Sequence, residues 1–542
     1  MKLNKYIYLL LGIASVTSCD IDRFPESSTV TEDQKSEIAE MVPERLSADV
    51  NGLKSGLTTF GTVSTSTSTI HMDFGFPAAC ISYDQSGMDM IAENHGYNWF
   101  SGALMHTDRL STSTYNVFNW RIYYNHIKTA NDLIATIKSV GEENWSEEMK
   151  NYYAMALTGR AFDYLNLVQS YQFTYIGNEE KPAVPIVLDD ITEEQQTNNP
   201  RATVKAVYEQ IMKDLDLALD MFAEAGIERA NKAEANANVA YGLRARANLL
   251  MGNWAQAAQD ANAAREGYEP LSMGSISVPS FTDINASSWI WGIIITPEDD
   301  VVQTGIINWP SHMCAITGNG YTTGTGVHYA HRRINSTLYD WIPETDVRKG
   351  WFAGADPVAE PSQGLINMYG AGLASALANA NAACFGPYNN TKFGTVSGDY
   401  FDTDNSQDWP IMRAEEMILI EAEALAHTNP GEAKNLLENF VKNYRNPEYV
   451  CTASSTESLV DEVWMQRRVE LWGEGFSLFD LLRLKKPLVR KGAGFSGNCT
   501  WEDVQPGYNS LIYMIPDIEI NSNNGISEDD NNEAVVPPTP LG

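Results

Sequence analysis

Six residues in this sequence combine a flat ring or an amide with a position outside any helical pattern: Asn98, Trp99, Trp289, Trp291, Trp309 and Tyr321. Their chemistry is non-covalent. A sugar ring has an apolar face of axial C–H bonds and a rim of hydroxyls. An indole covers the face, and Asn, Asp or Arg side chains bond the rim. Tyr97-Asn98-Trp99 puts such a set into three consecutive residues. Trp289-Ile290-Trp291 has i, i+2 spacing, which in a strand aims both rings at one face and predicts a platform. Trp309 precedes Pro310, His312 and a glycine-rich run from Gly318 to Gly326 that contains Tyr321. Each of these rings has the plainer alternative of anchoring a loop. Trp120, Trp254, Trp464 and Trp472 sit at helical positions and are expected in the core.

Patterns for covalent or metal chemistry are weaker. Neither G-x-S-x-G nor H-E-x-x-H occurs. Asp402-x-Asp404-x-Ser406-x-Asp408 resembles the start of a calcium loop, but Gln407 and Arg413 stand where Gly and Glu are required. It reads instead as an Asp-rich turn capping a helix that begins near Trp409-Pro410. His328-x-x-His331 has no evident third ligand, and the glycine run lacks the strand–helix context of a phosphate cradle. Arg467, Arg468, Glu470, Glu474 and Asp480 read as an ion-pair network at a helix end rather than an active site. No catalytic residue, metal site or cofactor is expected.

The first residues carry a different chemistry. Lys2 and Lys5 form a positive n-region, and Leu9 to Val16 an apolar core too short to span a membrane. The stretch ends Val16-Thr17-Ser18-Cys19, similar to a bacterial lipobox, and predicts a signal peptide over 1–18 with lipid on Cys19. Residues 19–36 are polar and acidic and read as a flexible tether. The net charge of −33 becomes more negative once Lys2 and Lys5 are removed. Such a surface repels nucleic acid and anionic headgroups. Cys80, Cys314, Cys384, Cys451 and Cys499 are scattered, with no C-x-x-C pair; one or two disulfides are possible, and their pairing is open.

The elements that must position these residues are mostly helical. Apolar residues recur at helical spacing in 115–139, 146–172 and 204–224. Residues 234–251 and 254–265, joined by Gly252-Asn253, form an alanine-rich pair of the tetratricopeptide-repeat kind. A second pair is expected at 411–427 and 431–443, and a last helix from Leu459 to Leu484. The intervening stretch, about 268–410, is rich in Gly, Ser, Thr, Asn and aromatics, with a short strand expected from Trp289 to Ile295. Irregular chain of that length inside a helical scaffold suggests functional loops.

Several blocks resemble the SusD-like (RagB/SusD) family of outer-membrane nutrient-binding lipoproteins. They are Trp120-x-x-x-Tyr124-x-x-Ile127-x-x-Ala130-Asn131, Arg160-Ala161-Phe162-x-Tyr164 with Gln169-x-Tyr171 and Val184-Pro185-Ile186, and Ile411 to Glu415 with Glu421 to Ala424. Arg467-Arg468-Val469-Glu470-Leu471 running into Gly473-Glu474-Gly475 and Phe479-Asp480-Leu481 is the most specific, and Ile515-Pro516 with Glu519 and Asn521 resembles the closing segment. Gln466, Ser477 and Ser522 depart from the usual Glu, Arg and Pro. The resemblance implies a mostly α fold over 37–542: a repeat-like scaffold at about 37–267 and 411–484, a ligand-binding insertion at about 268–410 and an irregular tail at 485–542. It further implies a non-catalytic, lipid-anchored protein on the outer face of the outer membrane. Such a protein captures oligosaccharides and hands them to a SusC-like TonB-dependent transporter. Peptide capture on the same scaffold, a surface glycosidase, and a pure repeat scaffold with no ligand are the rival readings.

Overall fold

The computed structural model describes residues 46–63, 70–93, 97–317, 320–321, 331–380, 385–495 and 497–541. The expected signal peptide, Cys19 and the tether at 19–36 lie outside the described residues, as do Gly318, Gly324, Gly326, His328 and Cys384. Among the described residues no helix is long and apolar enough to cross a membrane.

Twelve helices form the frame. They are α1 (Ser47–Ser55), α2 (Phe76–Ser86), α3 (Ser101–Met105), α4 (Thr114–Lys138), α5 (Glu147–Tyr171), α6 (Val204–Ala225), α7 (Ala237–Met251), α8 (Trp254–Ala264), α9 (Ala414–Thr428), α10 (Pro430–Tyr444), α11 (Thr456–Glu470) and α12 (Ser477–Arg483). From α4 to α10 each helix packs on the one before it, and α11 returns to pack on α9. The apolar stripes predicted for α4, α5 and α6 face this interior, with Ile127, Ile134, Leu157, Leu165, Ile211 and Leu215 all buried. Ser146, Thr203 and Asn236 cap α5, α6 and α7 through side-chain oxygens that accept backbone N–H groups. Alanines at the contact let α7, α8 and α9 approach closely, as in tetratricopeptide repeats.

Two expectations change. The second pair begins at Ala414, not 411, because Trp409–Arg413 is a strand. That strand (β4) pairs antiparallel with β2 (Trp289–Ile293), matching Trp289 to Arg413 and Ile293 to Trp409. The Asp-rich turn therefore caps no helix. Asp408 instead accepts the N–H groups of Ile284 and Ile295, both at 2.9 Å, and pins the ends of β2. The predicted last helix is two, α11 and α12, broken at Leu471–Gly475. Gly473 has φ +84°, and a Cβ there would lie 2.8 Å from the Phe393 ring. A second two-stranded pair joins β1 (Met90–Ile91) to β3 (Arg333–Ile334).

The break after α11 swings Glu474 back into a buried ion network. Arg413 bonds both oxygens of Glu474 at 2.9 Å and approaches Glu415 at 3.0 Å and Glu470 at 3.2 Å. Arg445 bonds Glu470 at 2.7 Å and Glu415 at 3.1 Å. Arg348 adds Asp346 and Gln466, and Lys392 reaches Glu474 at 2.6 Å and the Trp472 carbonyl at 2.8 Å. Of the expected network, Arg467 pairs with Asp480 in a separate cluster, and Arg468 pairs with Asp89, which was not expected. Burial alone would raise Glu470, but Arg445, Arg413 and Arg348 outweigh it and hold the carboxyl far below its ordinary range. Glu474 is lowered in the same way, against its burial, by Arg413 and Lys392. Cys80, Cys314, Cys451 and Cys499 are buried and form no disulfide.

A depressed folded-state pKa stabilises the fold above the unfolded carboxylate pKa and loses that effect as pH falls through the folded value. The thermal midpoint should therefore fall steeply on acidification below about pH 4.5, where unfolded carboxylates begin to protonate. Glu470→Ala, which removes a carboxylate shared by three buried guanidinium groups, should cost about 3–5 kcal/mol in urea titration.

Candidate functional site

The sequence Tyr97-Asn98-Trp99 forms a tight turn into α3, closed by the Trp99 and Ser101 N–H groups on the Tyr97 and Asn98 carbonyls, both 3.0 Å. Asn98 is buried. Its amide donates to the Glu93 carbonyl at 2.9 Å and its Oδ1 accepts the Phe100 N–H at 3.2 Å, so it shapes the turn and does not face solvent. The turn leaves Tyr97 44% exposed and Trp99 half-buried.

Trp99 lies flat on His71, with ring centroids 4.2 Å apart and planes 11° from parallel. His71 bonds the Tyr321 hydroxyl through Nδ1. Tyr321 stacks on His312 at 4.1 Å, and His312 on Phe74 at 5.3 Å. A continuous column of rings thus runs from the core at Phe74 to the surface at Trp99, with Tyr97 edge-on to Tyr321 at 6.0 Å. Burial, aided by Arg332, pushes His312 well below the ordinary imidazole range, so it is neutral. Its Nε2 lies 3.1 Å from the His71 carbonyl, which can only accept, so the proton sits on Nε2. Gly320 makes the return of Tyr321 possible: its φ is +102° and a Cβ would meet Ser311 at 2.6 Å.

Trp99 borders a cleft of about 530 Å³. Ile70, Met72 and Tyr115 give it apolar wall, and Thr107, Asp108, Ser113 and Thr114 give it hydrogen-bonding groups. The Asp108 carboxylate is already engaged by Arg109 and by the Tyr513 hydroxyl at 2.8 Å. An apolar ring beside a hydroxyl-lined wall suits a ligand with one apolar face and a polar rim.

The other predicted platform rings lie elsewhere. Trp289 and Trp291 share β2, but every residue of that strand is buried. Trp291 donates to the Ala233 carbonyl at 3.2 Å and packs edge-on to Phe162 of α5 at 5.1 Å. Trp309 begins a short helix, Trp309–Met313, donates to the Gln407 carbonyl at 2.9 Å and packs against Phe393 and Trp409. These three form core between the insertion and the helices, not a surface platform. The i, i+2 spacing orients side chains correctly but does not say whether water or protein covers that face. Tyr321 is buried and acts through the column. His71, Met72, Thr107 and Thr114 were not legible as site residues; none stands in a motif. Among the described residues no group of three or more His, Cys, Asp or Glu side chains stands together as metal ligands.

Two family models match the chain. A SusD-like model described as "Starch-binding associating with outer membrane" covers residues 78–249, and the SusD family model covers 319–532. The chain belongs to the SusD/RagB family. No curated protein matches it. Solved structures agree in fold. A SusD-like carbohydrate binding protein from Bacteroides vulgatus is 22% identical, with 91% of this chain and 98% of that one aligned at a TM-score of 0.74. A SusD superfamily protein from Bacteroides thetaiotaomicron is 20% identical over 91% and 99%, TM-score 0.68. Surface glycan-binding protein A from Bacteroides thetaiotaomicron, in complex with laminarihexaose, is 16% identical over 89% and 98%, TM-score 0.61. In this SusD/RagB member the blocks on α4, α5, α9 and α11 build the frame and the ion network, while Trp99 to Tyr115 of the cleft fall within the span of the first model but ahead of those blocks.

The two kinds of tryptophan separate by stability. Trp309→Ala should lower unfolding free energy by about 3–5 kcal/mol, since it opens a cavity between Phe393 and Trp409. Trp99→Ala should cost less, about 1–2 kcal/mol, since the ring is half-buried and gives up its stack on His71. Urea titration of both variants checks this.

Proposed function

We propose that this chain is a cell-surface glycan-binding lipoprotein that captures oligosaccharides at the Trp99 cleft and delivers them to a SusC-like TonB-dependent transporter. The observation that carries the reading is Trp99 held rigid on His71 at the mouth of a hydroxyl-lined cleft. A pre-ordered indole loses little entropy on stacking, and threonine and serine hydroxyls match a sugar rim. Membership of the SusD/RagB family and the fold shared with a laminarihexaose-bound protein support it. The cleft lining also favours binding over hydrolysis. Glycosidic cleavage uses two carboxylates across the bond, and Asp108, the cleft's lone carboxylate among the described residues, is held by Arg109 and Tyr513. The ligand is neutral on this reading, in keeping with a net charge of −33. Lipid on Cys19 would hold the protein at the outer membrane, and residues 19–36 would give it slack to swing over the transporter.

Affinity electrophoresis and calorimetry against starch, laminarin and a wider polysaccharide panel test the reading. One or more glycans should bind, and Trp99→Ala should weaken that binding by about 1.5–3 kcal/mol, roughly ten- to a hundredfold. Retention of peptide digests and of no glycan would overturn it. Cys19→Ser should release the protein from the membrane fraction. Deleting residues 22–34 should lower uptake while leaving glycan affinity intact; unchanged uptake would remove the swinging tether.

A further inference from the structure

A second set of rings stands on the insertion. Tyr400 and Phe401 are 41% and 38% exposed, and Val396 beside them is 50% exposed. Tyr400 meets Phe401 edge-on at 5.4 Å and Tyr369 edge-on at 5.7 Å, so the three rings make a corner rather than a scattered group. Phe401 has φ +59°, a left-handed conformation that a bulky side chain seldom adopts.

The loop is braced to keep it there. The Phe401 N–H donates to the Ile316 carbonyl at 2.7 Å, and the Thr317 hydroxyl to the Asp402 carbonyl at 2.8 Å. The Asp402 carboxylate accepts the Ser397 hydroxyl at 2.7 Å and the Asp404 N–H at 2.9 Å. The Tyr369 hydroxyl donates to the Gly398 carbonyl at 2.9 Å. Strain kept in an ordered loop to present two rings to water adds nothing to the core, and such outliers gather at ligand sites.

The bracing residues also tie the rings to the segment that carries the Trp99 ring column. Ile316 and Thr317 belong to the segment that carries His312 and continues to Tyr321, both in the Trp99 ring column. Ile316 and Tyr321 are five residue steps apart, a reach of at most roughly 18 Å. We propose that Tyr400 and Phe401 form a second contact for the same glycan chain, engaged only when the chain extends beyond the Trp99 cleft. This rests on the glycan-binding reading above. It makes the protein selective for chain length: short oligosaccharides use one contact and polymers two, joined by effective concentration.

The test compares Tyr400→Ala/Phe401→Ala with Trp99→Ala, using laminarin and starch as polymers and laminarihexaose and maltohexaose as short probes. Whichever polymer the wild type retains, the double variant should lose at least about fivefold in polymer affinity and none for the matching hexasaccharide, while Trp99→Ala weakens both. Phe401→Gly, which relieves the positive φ, should raise the thermal midpoint and still weaken polymer binding, so misfolding cannot account for the loss. Polymer affinity unchanged in the double variant, with Trp99→Ala impaired, would overturn the second contact and leave the cleft standing. Retention of no glycan from the wider panel by the wild type would remove both. Loss of peptide-digest binding in the double variant, with glycan binding intact, would reassign the rings to peptides.

Discussion

The structure depends on four buried cations meeting four buried carboxylates. Arg348, Lys392, Arg413 and Arg445 face Asp346, Glu415, Glu470 and Glu474, all of them buried. A network of this kind is weak as a source of net stability, because desolvation offsets much of the attraction. Its value is geometric. Its members come from the insertion, the β4–α9 junction, the residue after α10, and the end of α11 with the turn that follows it. A guanidinium bonds in a fixed plane, so these pieces of chain can satisfy it in only one arrangement. The departure at Gln466 fits this balance. Its amide oxygen accepts from Arg348 at 2.6 Å without adding a fifth negative charge.

From that network a line of contact leads to the ring column. Gly473 sits between Glu470 and Glu474 and allows Phe393 and Met313 to pack against its backbone. Met313 ends the short helix that holds His312. Lys392, a network member, is followed directly by Phe393, which supports Trp309 at the start of that helix. The position of His312, and hence of Tyr321, His71 and Trp99, is set by how the C-terminal helix turns at Leu471–Gly475. This explains why blocks rich in charged residues can specify a site that contains almost no charge.

Much of the frame was legible in the sequence, because long amphipathic helices declare themselves by period. α4, α5 and α6 begin and end within a residue or so of their apolar stripes. The misread tryptophans share one cause, which is that their part of the insertion is covered on both sides, whereas the break at Leu471–Gly475 follows from the positive φ of Gly473 and Gly475. Trp289, Trp291 and Trp309 follow no helical stripe, and exposed strands and doubly covered strands differ only in their neighbours. Trp409-Pro410-Ile411-Met412-Arg413 carried the same ambiguity and is a strand where a helix was expected. Trp99 was legible because an aromatic in a Tyr-Asn-Trp turn has no stripe to join. His71 was not, since its role arises only when residues about 250 apart bring Tyr321 against it. Phe401 announced itself through no motif, and its backbone conformation is a product of the folded loop.

The ionisation states of the column bear on what it can hold. His312 is kept neutral by burial and by Arg332, and burial pushes the Tyr321 hydroxyl above its ordinary range. Asp108, the cleft's carboxylate, faces Arg109. Across neutral pH these two column groups therefore change neither charge nor hydrogen-bonding role, and the stack beneath Trp99 does not loosen through their titration. On the proposed reading a ligand there would be selected by ring shape and hydroxyl placement, since the one carboxylate of the cleft among the described residues, Asp108, is already paired with Arg109. That is the selectivity a surface of net charge −33 can exercise at close range, where an anionic ligand would be repelled and a cationic one would bind the acidic surface without discrimination.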